Sequence, residues 1–453
     1  MARPLLRTFL GWMEVLAPAF TKPGFTNALI IMAGWIRTTG PHAVTQALVE
    51  TAVAGRRHHE AFHRFFSRGA WKPDEVGRLL FERIVERLVA RGATIDVVID
   101  DTMVTKKGRR VFGLGTHVDP VRSTARRKVF AFGHCWVVLS VIVHFPAFSR
   151  RPWALPVLFR LYRTKKEHRS NRKGPYKKKT ELARQMLDVM HAWRPDARFR
   201  VTCDCAYANA TVLRDLPTNI HLIGAMRPDA VLTALPTEAE QKKTGRRRKR
   251  GAVLPKPLAL SKSAKQPWTK IKAHLYGKEM VQEIKTIDAQ WYRGAGTRLL
   301  RIVVVRVPLG KVPVRVYFST DVDLSPGEIL EAYAGRWSTE VCFRDLKQLL
   351  GFGDSQARTK NAVERTAPFV GFTYTLVMLW FSMPAVHTSA LAEPPVRPWY
   401  RHKEGLCFAD ALRAAQRVLA PHDVLDLARD FNDLAQPPPT PATRPDSAHS
   451  RAA

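Results

Sequence analysis

Acidic residues are scarce in this sequence. Its 453 residues include 39 aspartates and glutamates against 73 lysines and arginines, which gives a formal net charge of +34 at pH 7. A positive surplus of this size favours a polyanionic partner, with nucleic acid ahead of a membrane surface. The alternative is an organism whose proteins are generally basic, and the size of the surplus makes this the weaker explanation.

Cysteines and long apolar runs are also few. The five cysteines, an odd number in a long chain, indicate no disulfide framework, and Cys203 and Cys205 lack a second pair at zinc spacing. The longest apolar run, residues 369–383, is shorter than the ~20 residues that a membrane-spanning helix needs. No signal peptide is visible at the N-terminus. We therefore expect a cytoplasmic, reduced protein with no membrane partner.

One stretch, residues 332–351, carries a polar and aromatic stripe. Its members are separated by three, four, four and three residues, which places them along one face of a helix: Tyr333, Arg336, Glu340, Arg344 and Lys347. Ser325 and Pro326 form a plausible helix start, and Glu328 completes a capping box with Ser325. Such a stripe is either an intrahelical salt-bridge ladder on a solvated surface or part of a functional site.

Two hydrophobic runs end in aspartate, at residues 94–101 and 199–204. An aspartate at the end of a buried strand is costly unless a positive charge meets it. Together with Glu340, Asp101 and Asp204 form a set of ligands suited to Mg²⁺, which prefers one or two carboxylates per ion. Two such ions about 4 Å apart can clamp the attacking and leaving oxygens of a phosphoryl transfer. The candidate active site is therefore Asp101, Asp204 and Glu340.

These residues also carry a family resemblance. Four residues of the helix stand at the spacing of the Y-R-E-K signature: Tyr333, Arg336, Glu340 and Lys347. This stretch resembles the insertion-sequence-four superfamily of bacterial cut-and-paste DDE transposases. The Asp101-Thr102 pair is similar to the first acidic motif of that family, and Asp204 in VTCDCAYAN is similar to the second.

The resemblance implies cleavage and strand transfer at the ends of a bacterial insertion sequence. It implies two Mg²⁺ ions, with Mn²⁺ as a substitute, held by Asp101, Asp204 and Glu340. The expected partner is double-stranded DNA, both the terminal inverted repeats and the target, bound by a homodimer in the bacterial nucleoid. Tyr333, Arg336 and Lys347 would hold the DNA end through a hairpin intermediate.

Two assignments keep an alternative. Asp100 is the rival of Asp101 as first metal ligand, and since adjacent strand residues face opposite ways, only one of them should point at the metal ions. Asp101 is preferred because it directly precedes the threonine of the family motif. Trp291 is the best candidate for stacking a flipped base, with Trp268 second, and burial in a core is the alternative for Trp291.

Element order predicts an α/β (α+β) fold with a ribonuclease-H-like domain. A three-strand meander, a helix, a strand, a short helix and a strand follow one another between residues 94 and 226. In that topology the returning strand pairs beside the first, which brings the two strand-end aspartates together. The predicted division is an N-terminal helical DNA-binding domain (1–90), the first part of the catalytic core (91–226), a β-rich insertion (227–324), the second part of the core with C-terminal helices (325–435) and a disordered tail (436–453).

The N-terminal helices include a segment, residues 56–71, in which basic and aromatic residues alternate. This pattern is typical of a DNA-facing surface. It equally suits a buried aromatic seam flanked by solvated cations, and the two interpretations are compatible.

Two rival functions remain from sequence. One is a ribonuclease-H-like nuclease without strand transfer, against which the β-rich insertion and Arg336 argue. The other is a domesticated, non-catalytic DNA-binding protein, against which the presence of all three acidic residues argues.

Overall fold

The computed structural model describes residues 2–108, 110–119, 122–124, 126–171, 174–241, 247–307, 314–396, 398–399, 405–420 and 422–427. The predicted tail, residues 436–453, lies outside these ranges. The first helices are α1 (Ala2–Glu14), α2 (Lys22–Arg37), α3 (Val44–Glu50), α4 (Glu60–Ser67), α5 (Pro73–Leu88), α6 (Lys165–Ser170), α7 (Lys179–Trp193) and α8 (Ala210–Leu213). The later helices are α9 (Glu238–Gln241), α10 (Pro257–Lys262), α11 (Tyr292–Ala295), α12 (Pro326–Gly335), α13 (Trp337–Leu349), α14 (Lys360–Phe381), α15 (Pro384–His387) and α16 (Phe408–Leu419).

The described strands form one twelve-stranded mixed sheet. The strands are β1 (Ile95–Thr105), β2 (Gly115–Val118), β3 (Phe130–His144), β4 (Pro152–Tyr162), β5 (Phe199–Cys203), β6 (Ile220–Met226), β7 (Leu232–Thr233), β8 (Val253–Leu254), β9 (Thr269–Leu275), β10 (Lys278–Gln290), β11 (Leu299–Arg306) and β12 (Val314–Ser319). Strand β3 pairs antiparallel with β1, whereas β5 pairs parallel with β1 and β6 pairs parallel with β5. The predicted α/β fold of ribonuclease-H-like type is confirmed. The predicted meander is corrected in one respect: β3, not β2, lies beside β1, and β2 pairs with the opposite edge of β3.

Strand β4 is an element that the sequence did not predict. Ten of its residues pair antiparallel with residues of β3, with an irregularity in β3 between Leu139 and Ser140. Pro152 and Pro156 lie within it, and prolines argue against a central strand because they donate no ladder hydrogen bond. Strand β4 pairs with β3 alone, at the margin of the sheet, where prolines are tolerated.

The insertion extends the sheet that contains β1, β5 and β6. Strand β12 pairs antiparallel with β6, and β11 and β10 follow in order beyond β12. This confirms the β-rich character of the insertion, and it adds that these strands share one hydrogen-bonded ladder with β1, β5 and β6. The domain boundaries stay a prediction.

The N-terminal helices share their core with the rest of the chain. Phe65, Phe66 and Trp71 are buried and pack against Phe369 of α14, with ring centroids 5.4–5.7 Å apart. The buried aromatic seam is therefore present, and exposed cations such as Arg68 flank it. A DNA-facing role of this surface stays a prediction.

No helix in the described part of the chain is long and apolar enough to cross a membrane. Helix α14, the longest helix in the described part of the chain, buries its side chains against β4 and the N-terminal helices.

Gly77 allows helix α5 to approach β4 closely. A Cβ atom at this position would lie 2.0 Å from the carbonyl oxygen of Val157, a backbone atom that cannot yield without moving the strand. We expect Gly77→Ala to lower the free energy of unfolding by about 1–3 kcal/mol through overpacking. Thermal or denaturant unfolding would measure this change.

Gly11 of α1 is the matched control, because a Cβ atom there would meet nothing within 4 Å. Gly11→Ala should leave stability unchanged or raise it by about 0.5–1 kcal/mol, since alanine favours the helix. Equal effects of the two substitutions would contradict the proposed close contact.

Candidate active site

The register of two parallel strands places Asp100 beside Asp204. Ile99 of β1 lies opposite Cys203, the last residue of β5, and each aspartate is the next residue along the chain. Residues at matching positions of neighbouring strands point to the same face, and the strands are about 4.8 Å apart. Asp204 then ends its strand in a turn, where its Oδ1 accepts a hydrogen bond from the Ala206 N–H at 2.7 Å. The predicted convergence of the two acidic strand ends is therefore present, with Asp100 as the partner of Asp204.

The predicted long helix is two helices joined at Arg336. Helix α12 begins with the predicted capping box of Ser325 and Glu328, and α13 begins at Trp337. At the junction, the Arg336 N–H donates to the Tyr333 carbonyl, three residues earlier. In such a tightened turn residues three apart eclipse. Arg336 consequently lies over the Tyr333 ring, 5.7 Å from its centroid.

Arg336 connects two of the carboxylates. One terminal nitrogen of its guanidinium forms an ion pair with Asp100, and the other donates to Oε1 of Glu340 at 3.0 Å. Asp100 and Arg336 are largely buried, whereas 39% of the Glu340 side chain is exposed. The carboxylates of a strand and of a helix, 240 residues apart in sequence, therefore meet through one cation.

The site is short of positive charge. Burial raises the pKa of Asp100 to about 7, Arg336 opposes this shift, and the carboxylate of Asp204 adds to it. Near neutral pH a carboxyl group with this pKa is only partly ionised, and added positive charge would favour its ionised form. Within the described part of the chain, the buried Nε of Arg336 has no hydrogen-bond partner. The site can therefore accept an additional cation, and the Nε–H of Arg336 is available to bind an anion.

Tyr333 and Lys347 extend this site on both sides. Tyr333 packs on Tyr317 with ring centroids 4.5 Å apart, and burial raises its pKa to about 12. Lys347 lies at an exposed position two turns beyond Glu340. Desolvation lowers the pKa of its amino group, and Asp119 opposes the shift. Within the helix stripe predicted from sequence, Arg336 is the residue that contacts Asp100, and Tyr333 lies directly beside it.

Asp101 lies on the other face of β1. Its Oδ2 accepts a hydrogen bond from the Lys179 ammonium at 2.7 Å, and its Oδ1 accepts one from the Tyr207 hydroxyl at 2.7 Å. Because neighbouring residues of β1 alternate, Asp101 points away from Glu340 and Asp100 points toward the arginine that pairs with Glu340. The rule that only one of the two aspartates faces the site holds, and the catalytic role of either residue stays a prediction.

Lys179 and Tyr207 are residues that the sequence did not single out. Lys179 is the first residue of α7 and closes a cationic run, so its charge was indistinguishable from that of its neighbours. Tyr207 is fully buried, and its N–H donates to the carbonyl of Asp204 at 3.2 Å. Since its hydroxyl reaches Asp101, Tyr207 ties the turn after β5 to the end of β1.

Trp291 lies away from the carboxylates. It packs edge to face against Phe318, with ring centroids 5.9 Å apart, and is partly buried against the main core. Phe318 follows Tyr317 in β12, so the two point to opposite faces of the sheet. Tyr317 contacts Tyr333 on the face of the Glu340 helix, which puts Trp291 on the other face. Base stacking by Trp291 stays a prediction, and its packing corresponds to the core alternative.

The chemistry of the three carboxylates suits a divalent metal ion, but their present spacing does not bring them together around one. Asp100, Asp204 and Glu340 offer the hard oxygen ligands that Mg²⁺ prefers. Among the residues that the structure describes, no three metal-ligating side chains lie close enough to hold an ion. Arg336 stands between Asp100 and Glu340, where it supplies the positive charge that a metal ion would bring. The donor set and its charge deficit fit such an ion once this guanidinium turns aside.

We expect Tyr207 to stabilise the site through its hydrogen bond to Asp101, on the face of the sheet opposite Glu340. Tyr207→Phe removes one hydroxyl from a buried hydrogen bond to a charged group, and we expect a loss of about 1.5–3 kcal/mol of unfolding free energy. Tyr276→Phe is the control, because Tyr276 is 55% exposed and should tolerate the change. Unfolding curves of the two variants would test this, and a Tyr207→Phe protein as stable as wild type would refute the tie.

Comparison with known protein families matches residues 15–295 to the family described as DDE superfamily endonuclease. The match spans more than half of the chain, includes both acidic strand ends, and stops before the helix of Glu340. No match to a curated protein was found. A similar solved structure is the cryo-EM structure of the piggyBac transposase synaptic complex with hairpin DNA. It is 12% identical, the alignment covers 94% of this chain and 78% of that chain, and the TM-score is 0.39. On the family match, the chain belongs to the DDE superfamily endonuclease family.

Proposed function

We propose that this protein is a transposase that cleaves DNA at the ends of a bacterial insertion sequence and joins the freed ends to target DNA. Membership of the DDE superfamily supports the nuclease part of this proposal. The observation that carries the rest is the arrangement of Asp100, Asp204 and Glu340 on one face, with Arg336 and Lys347 on the same helical stripe.

The proposed reaction uses two kinds of phosphoryl transfer, hydrolysis and attack by a 3′-hydroxyl. In the first, a water oxygen forms a bond to phosphorus, the bond to the 3′ oxygen breaks, and that oxygen leaves as a 3′-hydroxyl. In the second, this hydroxyl attacks another phosphodiester and displaces its 3′ oxygen. Divalent ions, which DDE nucleases generally use, would stabilise the charge on the attacking and leaving oxygens. Asp100, Asp204 and Glu340 are the residues that would hold two Mg²⁺ ions, with Mn²⁺ as a substitute.

The cations of the stripe would hold the DNA. Arg336 already uses two terminal nitrogens to bind two anionic groups, and the same fork suits a phosphate. Lys347 adds a point charge to a neighbouring phosphate. Tyr333, in contact with Arg336, would fix the DNA end. These roles follow the Y-R-E-K signature of the insertion-sequence-four superfamily, and with it the proposal of hairpin ends and a homodimer on the terminal repeats.

Substitution of the two adjacent aspartates tests the assignment. We expect Asp100→Asn to reduce cleavage of supercoiled DNA that carries the flanking terminal repeats by at least about 10³-fold, or about 4 kcal/mol of transition-state stabilisation. Asp101→Asn, which keeps an acceptor for Tyr207, should reduce it less than about tenfold. Glu340→Gln and Asp204→Asn should behave like Asp100→Asn. Cleavage would be measured with Mg²⁺ and with Mn²⁺.

Binding of the same DNA without metal is the control, and all variants should bind within about threefold of wild type. Loss of activity in Asp101→Asn but not in Asp100→Asn would return the first ligand to Asp101. Cleavage without joined products would favour a nuclease without strand transfer. Binding without cleavage by wild type under either metal would favour a non-catalytic DNA-binding protein.

Removal of Arg336 should expose its competition with metal ions. In Arg336→Gln the carboxylates of Asp100 and Glu340 lose their cation, and we expect the DNA-free protein to bind Mn²⁺ about tenfold more tightly. Electron paramagnetic resonance of free Mn²⁺ at pH 8 would measure this affinity. Arg344→Gln is the matched control on the same helix, since the exposed Arg344 pairs with Asp345 instead. Unchanged or weaker Mn²⁺ binding by Arg336→Gln would contradict the competition.

A further inference from the structure

The β2–β3 hairpin carries an exposed apolar patch that the catalytic site does not use. We call it the hairpin patch: Val118, Phe130 and Phe132. Val118 lies opposite Phe130 in the ladder, and Phe132 lies two residues further along β3, so all three point to one face. Their exposed fractions are 46%, 60% and 47%. Two phenylalanines this exposed on one short ribbon form a surface suited to a partner.

The patch is surrounded by positive charge. Residues 106–128 contain eight lysines and arginines and a single acid, Asp119, which is buried and paired with Arg122 at 3.5 Å. Among those that the structure describes, six are exposed: Lys107, Arg110, Arg122, Arg126, Arg127 and Lys128. Aromatic side chains among exposed cations match the chemistry of a nucleic acid, with its phosphates outside and its bases and sugars within reach.

The patch lies on the same face of the sheet as Asp100. Asp100 lies opposite Val138 of β3, and Phe130 and Phe132 share the side-chain direction of Val138 because all three are even-numbered residues of one strand. Between them, His134 and Trp136 are buried, and Phe352 after α13 packs on Trp136. The strand therefore passes beneath the end of the catalytic helix and emerges with its phenylalanines exposed.

The distance to the active site follows from the strand. Eight residues separate Phe130 from Val138, which corresponds to about 26 Å at ~3.3 Å per residue. That length equals about eight base pairs of duplex DNA at 3.4 Å each. Lys347, on the catalytic helix, is close enough to the hairpin for Asp119 to shift its pKa. The catalytic helix thus carries an exposed cation, Lys347, on the side of the hairpin.

We propose that the hairpin patch binds the DNA duplex about eight base pairs from the cleaved phosphate. Phe130 and Phe132 contact bases and sugars in the minor groove, and the surrounding arginines and lysines bind the phosphates on either side. This surface rests on the proposed function, since it takes the duplex that the active site cuts. It would set the position of the cut relative to the bound sequence by holding the DNA at a second point.

The test compares DNA binding by Phe130→Ala/Phe132→Ala on duplexes of two lengths, without divalent metal. On a duplex that extends twenty base pairs or so to each side of the cut we expect the affinity to fall about tenfold. On a duplex trimmed to fewer than about eight base pairs on the hairpin side, the variant and wild type should bind equally. Val231→Ala/Val253→Ala is the matched control, because it truncates two exposed apolar side chains, 42% and 75% exposed, elsewhere in the chain.

A second variant tests the charges. Arg127→Ala/Lys128→Ala should reduce the slope of log affinity against log salt concentration. The reduction should be up to about one for each phosphate that the variant no longer neutralises, and it should occur on the long duplex only. Equal affinity of Phe130→Ala/Phe132→Ala and wild type on the long duplex would overturn the proposal. So would an equal loss on both lengths, or a loss of self-association in place of DNA affinity. A wild-type protein that binds no DNA would overturn the proposed function as well.

Discussion

The guanidinium of Arg336 is the interaction on which the candidate site depends. Carboxylates that converge from two strands and a helix repel one another, and burial makes that repulsion stronger. Arg336 offsets this cost by pairing with Asp100 and Glu340 at once. Its position requires the tightened turn between α12 and α13, which brings it over Tyr333 and toward the sheet. Because a buried ion pair is costly to break from one side, this arginine also fixes the angle at which the catalytic helix meets the sheet.

The end of β1 serves two faces at once. Asp100 points toward the helix of Glu340, and Asp101 points toward Lys179 and Tyr207 behind the sheet. Since Tyr207 also belongs to the turn that follows Asp204, the rear contacts hold the spacing of the two strand ends that the front face presents. Two adjacent aspartates therefore have different surroundings: Asp100 pairs with Arg336 near Glu340, and Asp101 binds Lys179 and Tyr207 on the opposite face.

Much of the fold could be predicted from sequence because local patterns decided it. The capping box at Ser325, the strand at β6 and the order of strands and helices all follow from short-range signals. The choice between Asp100 and Asp101 could not, since both satisfy the pattern and only the register with β5 separates them. Strand β4 was not predicted because its prolines argue against a strand. The position of Trp291 could not be predicted because the sequence does not indicate which face of the sheet it occupies. Each of these positions depends on long-range pairing, which no window of sequence contains.

The unbroken ladder from β1 through β5, β6 and β12 to β10 has a mechanical meaning. A module joined by flexible linkers can swing while its neighbour stays still, but strands that share backbone hydrogen bonds move as one plate. A displacement of the insertion would therefore be transmitted through β6 and β5 to the strand end that precedes Asp204. Rearrangement during a reaction cycle must then be sought in the side chains and in the α12–α13 junction. The hydrogen-bonded sheet would then keep the distance between the insertion and Asp204 nearly constant.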